Sequence, residues 1–225
     1  DVYGADAMRW HLLSSPILRG ADFSVTEAGI RDTVRQVILP LWNAWYFLTL
    51  YANAADTVGT VRTDQTHLLD RYVLGETRAL VETVTERMDG YDLFGACESV
   101  AGFLDTLTNW YIRRSRDRFW EGDQDAVDTL HTALVTLCQV AARLLPLVTD
   151  ELYAGLTGDT TGDTSVHLTD WPSAEAFPLD ASLRDGMRIT RDACSTLLSL
   201  RKAENLRVRL PLARATVAVP DPALV

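Results

Sequence analysis

Apolar residues recur at intervals of three and four along most of this chain, which places them on one face of an α-helix. The pattern predicts long helices at about residues 26–52, 65–88, 92–120, 125–145 and 180–203, and shorter ones at 5–14 and 147–156. Pro40 lies inside the first long helix and should kink it, because proline lacks the amide hydrogen that the helix uses. The short connections between residues 88 and 147 indicate antiparallel neighbours. The sequence therefore predicts a mainly α fold built around an antiparallel helix bundle.

Three segments interrupt the helical pattern. Residues 57–65 are predicted to form a linker, and residues 158–178 are polar and glycine-rich around an extended stretch at 165–168. Residues 207–212 and 216–219 alternate between apolar and polar positions, as strands do. We therefore expect three parts, residues 1–60, 61–179 and 180–225, of which the last is a small α+β piece.

The charge of the chain is strongly segregated. The chain has 21 basic and 31 acidic residues, and a net charge of −10 argues against non-specific nucleic-acid binding by the whole surface. Residues 184–214, however, hold eight basic and three acidic residues, a local charge of +5. Residues 109–120 hold four arginines and one aspartate, a local charge of +3. No run approaches the roughly 18 apolar residues that a membrane span needs.

Residues 109–120, with the sequence NWYIRRSRDRFW, also contain four aromatic residues. Cations beside aromatic rings suit RNA binding, because arginine binds phosphates and rings stack on unpaired bases. The alternative is a helix end whose aromatics lie in the core and whose arginines pair with acidic residues of neighbouring helices. The residues alone leave both interpretations open.

A helical wheel separates the two faces of this segment. Arg114 and Arg118 continue the apolar face, so they should have acidic or carbonyl partners or lie on a helix end that projects past the core. On the opposite face we predict RNA contacts, and Asp117 could pair there with Arg113 four residues away. The predicted buried positions are Val100, Phe103, Leu104, Leu107, Trp110 and Tyr111, and the predicted contacts are Asn109, Arg113, Arg116 and Trp120.

No arrangement of residues with the spacing of a catalytic or metal site is present. Asp150 and Glu151 are adjacent and so point to different faces of a helix. There is no glycine-rich phosphate loop. The three cysteines lie in apolar helical contexts, as small buried residues of a protein from a reducing cytoplasm do. The histidines and cysteines that were considered as possible catalytic or metal-binding residues are His11, His67, His131, His167, Cys97, Cys138 and Cys194. We predict a binding or scaffolding module with no metal and no catalytic residue of its own.

Several segments resemble, in order, the class I synthetases for branched aliphatic amino acids. These are residues 3–10 (YGADAMRW), 39–43 (LPLWN), 109–120, 165–172 (SVHLTDWP) and 201–212 (RKAENLRVRLPL). The match covers nearly the whole chain. Within that class the chain is similar to isoleucyl-tRNA synthetases, and residues 109–120 look like the anticodon-binding bundle of the eukaryote-like branch of those enzymes.

The resemblance implies a fragment that follows the KMSKS loop of such an enzyme. It makes residues 1–60 a stem-contact segment, residues 61–179 the anticodon-binding bundle and residues 180–225 the start of a C-terminal junction region. The parent enzyme would attach isoleucine to tRNA(Ile) with ATP, Mg and possibly Zn in the cytoplasm. Its catalytic motifs lie outside this chain. The partners implied are tRNA(Ile) and the remainder of the synthetase, with neither DNA nor a membrane.

The resemblance also bears on individual residues. Together with the face analysis of residues 109–120, it leads to the hypothesis that Arg113 and Arg116 bind phosphates and that Trp120 packs on a base or ribose. A further basic set could bind either the tRNA backbone or the rest of the enzyme: Arg201, Lys202, Arg207 and Arg209. The family usually has glycine where this chain has Asn205, a residue that tolerates positive φ, so the helix end should be retained.

Two alternatives remain. One is the equivalent region of a valyl- or leucyl-tRNA synthetase. Residues 109–120 distinguish these enzymes, because they resemble the isoleucyl pattern. The other is a helical interaction scaffold whose basic segments bind an acidic partner.

Overall fold

The computed structural model of this protein describes residues 2–158, 161 and 164–218. The chain divides into two compact units, Asp1–Leu179 and Asp180–Val225. The first unit contains α1 Ala5–Leu13, α2 Glu27–Thr33, α3 Leu39–Ala54, α4 Leu68–Asp89, α5 Leu93–Asp105, α6 Arg113–Trp120, α7 Gln124–Ala141 and α8 Pro146–Thr157. The second contains α9 Ala181–Ala203. The predicted mainly α bundle is therefore confirmed.

The bundle forms around α7. Nearly every side chain of α7 is buried, because α3, α4, α6 and α8 all pack on it. Short turns join α4 to α5 and α6 to α7, as expected for antiparallel neighbours. In this core, burial raises the pKa values of Cys97 and Cys138 to about 12, so both behave as the small hydrophobic residues predicted from the sequence.

Pro40 lies in the first turn of α3, directly after a π-helical turn at Val34–Ile38. The backbone is helical on both sides of this junction, since Ile38 and Leu39 have α-helical φ and ψ angles, so Pro40 lies inside a continuous helix. The wider π-helical turn before it relieves the contact of the proline ring with the preceding turn. The predicted kink position thus corresponds to a π-helical turn just before Pro40.

The N-terminal helices are attached to the bundle by polar contacts. The buried carboxylate of Asp6 accepts hydrogen bonds from the amides of Leu147 (3.0 Å) and Val148 (2.7 Å), in the first turn of α8. Arg9 donates to the carbonyl oxygen of Arg143 at 2.7 Å. Because α8 begins without a side-chain cap of its own, α1 supplies the anion that its free amides require.

The linker between α3 and α4 is packed against α7. The Thr60 amide donates to Asp128 Oδ1 at 2.9 Å, and Arg62 forms ion pairs with Asp125 and Asp128 at 3.1 and 3.2 Å. The Arg62 amide donates to Thr132 Oγ1 at 2.9 Å. The segment predicted to be a linker is therefore held along α7 by its backbone.

The prediction of an extended stretch at residues 165–168 is wrong. Val166–Leu168 form a turn of 3-10 helix, because Ser165 caps it by accepting from the His167 amide at 3.2 Å. Asp150 then accepts hydrogen bonds from Ser165 Oγ (2.7 Å) and the Val166 amide (2.9 Å). Asp150 thus serves to hold this loop on α8.

The strands predicted at residues 207–212 and 216–219 are also not found in residues 204–218, and Val219 lies outside the described residues. Asn205 adopts a φ of +53°, as predicted, and closes α9: its amide binds the Lys202 carbonyl while the Leu206 amide binds that of Arg201. The Arg201 guanidinium then donates to the carbonyl oxygens of Arg207 and Val208. These carbonyls turn back toward α9 and cannot form a strand ladder, so the described C-terminal piece is not α+β.

Candidate nucleic-acid interface

Residues 109–120 belong to one long helical element in which a π-helical turn, Thr106–Ile112, joins α5 to α6. The six positions predicted to be buried, from Val100 to Tyr111, are all buried. Beyond them the buried side continues through Ser115 and Phe119, at steps of four from Tyr111. The π-helical turn holds more residues than an α-helical one and so rotates the positions that follow it.

This rotation changes the environment of Arg114. We predicted that Arg114 would lie on the buried side, and this is wrong, because its side chain is exposed. Its guanidinium stacks on the ring of Trp110, 3.3 Å from the ring centroid, and donates to the carbonyl oxygen of Asn109 at 3.4 Å, so the predicted carbonyl partner is present. Arg114 is thus held by a cation–π contact on the surface.

Arg118 is partly buried, with a side chain that is 17% exposed, and it has the acidic partners that we predicted. Its guanidinium donates two parallel hydrogen bonds to Asp70, both 2.7 Å, and a third to Asp123 Oδ2 at 2.7 Å. A fourth contact reaches His67 Nδ1 at 3.1 Å. Burial alone would lower the pKa of Arg118, but the hydrogen bonds to the two carboxylates raise it above its ordinary value. Arg118 is therefore a permanent cation that joins α6 to α4 and α7.

Tyr111 completes this network. Its hydroxyl donates to Asp70 Oδ1 at 2.8 Å, and burial together with the charge of Asp70 raises the pKa of Tyr111 well above its ordinary value. Asp123 also caps α7, since its Oδ1 accepts from the amides of Asp125 and Ala126. The network thus fixes the end of α6 against both neighbouring helices.

The opposite face of α6 is a row of exposed groups, Arg113, Arg116 and Trp120, which we call the Arg–Trp row. The three residues span about 10 Å along the helix and lie within about 60° of one another around it. Trp120 is 80% exposed. Within the described residues, Arg113 and Arg116 form no ion pair, and the pairing predicted between Arg113 and Asp117 is not formed. Asn109, also exposed, donates to Asp105 at 2.7 Å.

A groove adjoins the end of the Arg–Trp row. It has a volume of about 430 Å³ and is lined by Tyr51, Ala54, Ala55, Phe119, Trp120, Glu121 and Gly122. The Tyr51 ring lies 6.5 Å from that of Trp120 at an interplanar angle of 65°. Sequence reasoning missed Tyr51, and no local signal could have found it, because it belongs to a helix far from α6 in the chain.

The predicted basic residues at the end of α9 lie in the second unit. Lys202, Arg207 and Arg209 are exposed, and in the described part of the chain they form no ion pair. Arg201 differs from them because its guanidinium is engaged with carbonyl oxygens of its own chain.

The described residues include no group of three or more His, Cys, Asp or Glu side chains that could hold a metal ion. His167, for example, contacts the carbonyl oxygen of Pro146 at 2.9 Å, and His131 contacts that of Leu156 at 3.1 Å. None of the helices in the described ranges has the length and apolar character needed to cross a lipid bilayer. What the surface does present is a cationic row ending in an open indole ring, which suits an anionic polymer with unpaired bases.

Residues 70–217 match a family described as the anticodon-binding domain of tRNA ligase. The chain belongs to this family. The match includes the Arg118 network, the Arg–Trp row and the basic end of α9. The description of the family supports tRNA binding by this domain.

The chain is also similar to proteins that are named isoleucine–tRNA ligase. It is 55% identical over 221 residues to the isoleucine–tRNA ligase of Nocardia farcinica and 54% identical over 224 residues to that of Mycobacterium tuberculosis. These alignments cover 98% and 100% of the chain but only 20% and 21% of the relatives. The chain thus spans about a fifth of the length of the ligases that it matches.

A solved structure has the same fold. The chain superposes on a leucyl-tRNA synthetase of Agrobacterium radiobacter K84, from a ternary complex with tRNA and LeuAMS, with a TM-score of 0.58. The match covers 80% of this chain and 21% of that one, at 17% identity. At this identity the likeness shows the shared helical fold.

Proposed function

We propose that this chain is the tRNA-docking part of an isoleucine–tRNA ligase, an enzyme that attaches isoleucine to tRNA(Ile) with ATP in the cytoplasm. The observation that carries the proposal is the exposed Arg–Trp row within the anticodon-binding family match. The names of the relatives support isoleucine as the amino acid. The sequence of residues 109–120 also resembles isoleucyl-tRNA synthetases more than valyl- or leucyl-tRNA synthetases.

The arrangement of the row suits an RNA loop. Reading an anticodon requires bases that are splayed out of a single-stranded loop, where stacking and base-edge hydrogen bonds select them. Contacts to phosphates set the register and supply affinity that depends on salt. In this proposal Arg113 and Arg116 bind phosphates, Asn109 lies beside them at the edge of the contact, and Trp120 packs on a base or ribose.

The rest of the chain has supporting roles in the proposal. Residues 1–60 contact the tRNA stem, residues 61–179 form the anticodon-binding bundle and residues 180–225 begin the junction with the C-terminal region. The basic set Arg201, Lys202, Arg207 and Arg209 then faces either the tRNA backbone or the remainder of the ligase. In this proposal ATP, Mg and possibly Zn belong to the parent enzyme and are bound outside this segment.

Binding of a tRNA(Ile) transcript by the 225-residue chain, measured at several salt concentrations, tests the proposal. Arg113→Gln and Arg116→Gln should each weaken binding and reduce the slope of log K against log salt by about one. Arg143→Gln is the matched control, because this exposed arginine follows the end of α7 that is remote from α6.

Unchanged slopes in both row variants would refute the role of the row. Binding of heparin or duplex DNA as tightly as tRNA would instead favour the interaction scaffold. Comparison of tRNA(Ile) with tRNA(Val) and tRNA(Leu) separates the isoleucyl assignment from its two relatives.

A further inference from the structure

Two helices end at the groove beside Trp120. Ala54 and Ala55 come from the end of α3, and Phe119 to Gly122 come from the end of α6. Gly122 has a φ of +74°, and a Cβ atom there would lie 3.4 Å from the Cβ atom of Ala55. The two helix ends are thus in close contact, and the groove has a defined floor.

One wall of the groove is aromatic. Tyr51 is held in place by the rings of Phe47, at 4.5 Å, and Phe119, at 6.4 Å, and it supports the edge of the Trp120 indole. Because Trp120 is 80% exposed, a face of its ring is available to another flat group. Such an indole face is a stacking platform for a nucleobase.

The rim of the groove accepts hydrogen bonds. The C-terminal end of a helix carries free carbonyl groups and a partial negative charge, and two such ends meet here. Within the described residues, the carbonyl oxygens of Ala54 and Trp120 accept no hydrogen bond. The exposed carboxylate of Glu121 adds a full negative charge. The rim therefore favours a ligand edge that presents an amino group, and it disfavours phosphates and an edge such as that of uracil, where two keto oxygens flank a single N–H.

We propose that this groove binds one unpaired nucleobase that carries an exocyclic amino group, namely adenine, cytosine or guanine, in preference to uracil. The ring stacks on Trp120, and the amino group donates to the carbonyl and carboxylate oxygens of the rim. This inference rests on the proposed function and adds to it the chemical class of base that this end of the row selects.

The Arg–Trp row explains why the ligand is a nucleotide and not a free amine. Arg116 lies about 6 Å from Trp120 along the helix axis, so the backbone of the stacked nucleotide reaches a guanidinium while its base lies in the groove. The cationic and the electronegative surfaces are thus adjacent but separate. A nucleotide matches this pattern, since its phosphate is anionic and its base edge carries donors.

RNA hairpins with a common stem and loops of equal length test the proposal. One loop contains adenosine, the second contains purine riboside, which lacks only the amino group, and the third contains uridine. Fluorescence anisotropy with the 225-residue chain should show adenosine binding about tenfold more tightly than purine riboside, since the lost hydrogen bond is to an anionic rim.

Two variants of the groove sharpen the test. Trp120→Leu should weaken binding of the adenosine and purine riboside loops about tenfold, because it removes the stacking platform. Glu121→Gln should leave stacking intact and reduce the ratio between those two loops. Both side chains are exposed, so unchanged unfolding midpoints serve as the control for folding.

Equal affinity for the adenosine and purine riboside loops would overturn the inference. If binding of the hairpins still depended on salt and were weakened by Arg113→Gln, the proposed function in tRNA docking would stand and only the preference for an amino-bearing base would be lost. Absence of salt-dependent binding to every hairpin would overturn both.

Discussion

Arg116 and Arg118 are two residues apart on α6, yet they are in opposite environments. Arg118 is partly buried and donates to two carboxylates, whereas Arg116 is exposed and, within the described residues, has no ion-pair partner. The same contrast separates Phe119, which is 1% exposed, from Trp120, which is 80% exposed. One face of this short helix packs against the bundle, and the other is exposed and is the face for which we propose RNA binding.

The difference shows how a cluster of like residues can be divided between stability and binding. A buried guanidinium is tolerated only when paired, so the Arg118 side of α6 needs Asp70 and Asp123. The Arg–Trp row needs no such partners, because water solvates it until an anion displaces that water. The enclosed face holds the exposed one in position, and a ligand then meets a preorganised row.

The largest contrast is expected between the two neighbouring aromatic residues. Phe119→Ala should lower the free energy of unfolding by about 4 kcal/mol, because it leaves a cavity among Phe47, Tyr51 and Tyr111. Trp120→Ala should leave that free energy nearly unchanged. Urea denaturation of both variants measures the difference, and equal losses would mean that the two faces are not distinct.

The two arginines should show a similar but smaller contrast. Arg118→Met should cost about 3 kcal/mol, since it leaves the Asp70 carboxylate buried without its partner, whereas Arg116→Met should not shift the unfolding midpoint. Adding Asp70→Asn to Arg118→Met should restore part of the loss, because the uncompensated charge is then gone. A loss for Arg118→Met no greater than for Arg116→Met would contradict a structural role for the network.

The smallest effect concerns pH. Burial alone would raise the pKa of Asp123, but the hydrogen bond and charge of Arg118 outweigh it and hold that pKa below its ordinary value. The folded pKa lies below the unfolded one of about 3.9, so this pair stabilises the protein above about pH 4 and ceases to do so as pH falls through the folded pKa.

Asp123→Asn should therefore flatten the decline of stability below about pH 4, measured by urea denaturation across that range. Asparagine still caps a helix, so α7 keeps its N-terminal cap and the variant removes the charge pair alone. A decline as steep as that of the unaltered protein would show that Asp123 does not contribute to it.

Much of the fold could be predicted because it follows from local rules. Helical spacing located the helices of the bundle, the buried positions up to Tyr111 and the exposed positions of the Arg–Trp row. The positive φ of Asn205 followed from the tolerance of asparagine for that conformation. The strands expected beyond it failed because alternation describes a pattern but provides no partner strand, and Arg201 binds the carbonyls instead.

The sequence by itself determined that this is a helical protein with a basic, aromatic segment set apart from an acidic remainder, because periodicity and composition are local properties. Only the tertiary structure decided which arginine is neutralised and where a base could be held. Asp70 reaches Arg118 from 48 residues earlier, and the groove requires α3 and α6 to end side by side. A π-helical turn also rotated Arg114 to the surface, which the ideal period could not show. Contacts between distant segments depend on how whole helices pack, and residue spacing within one helix carries no information about its neighbours.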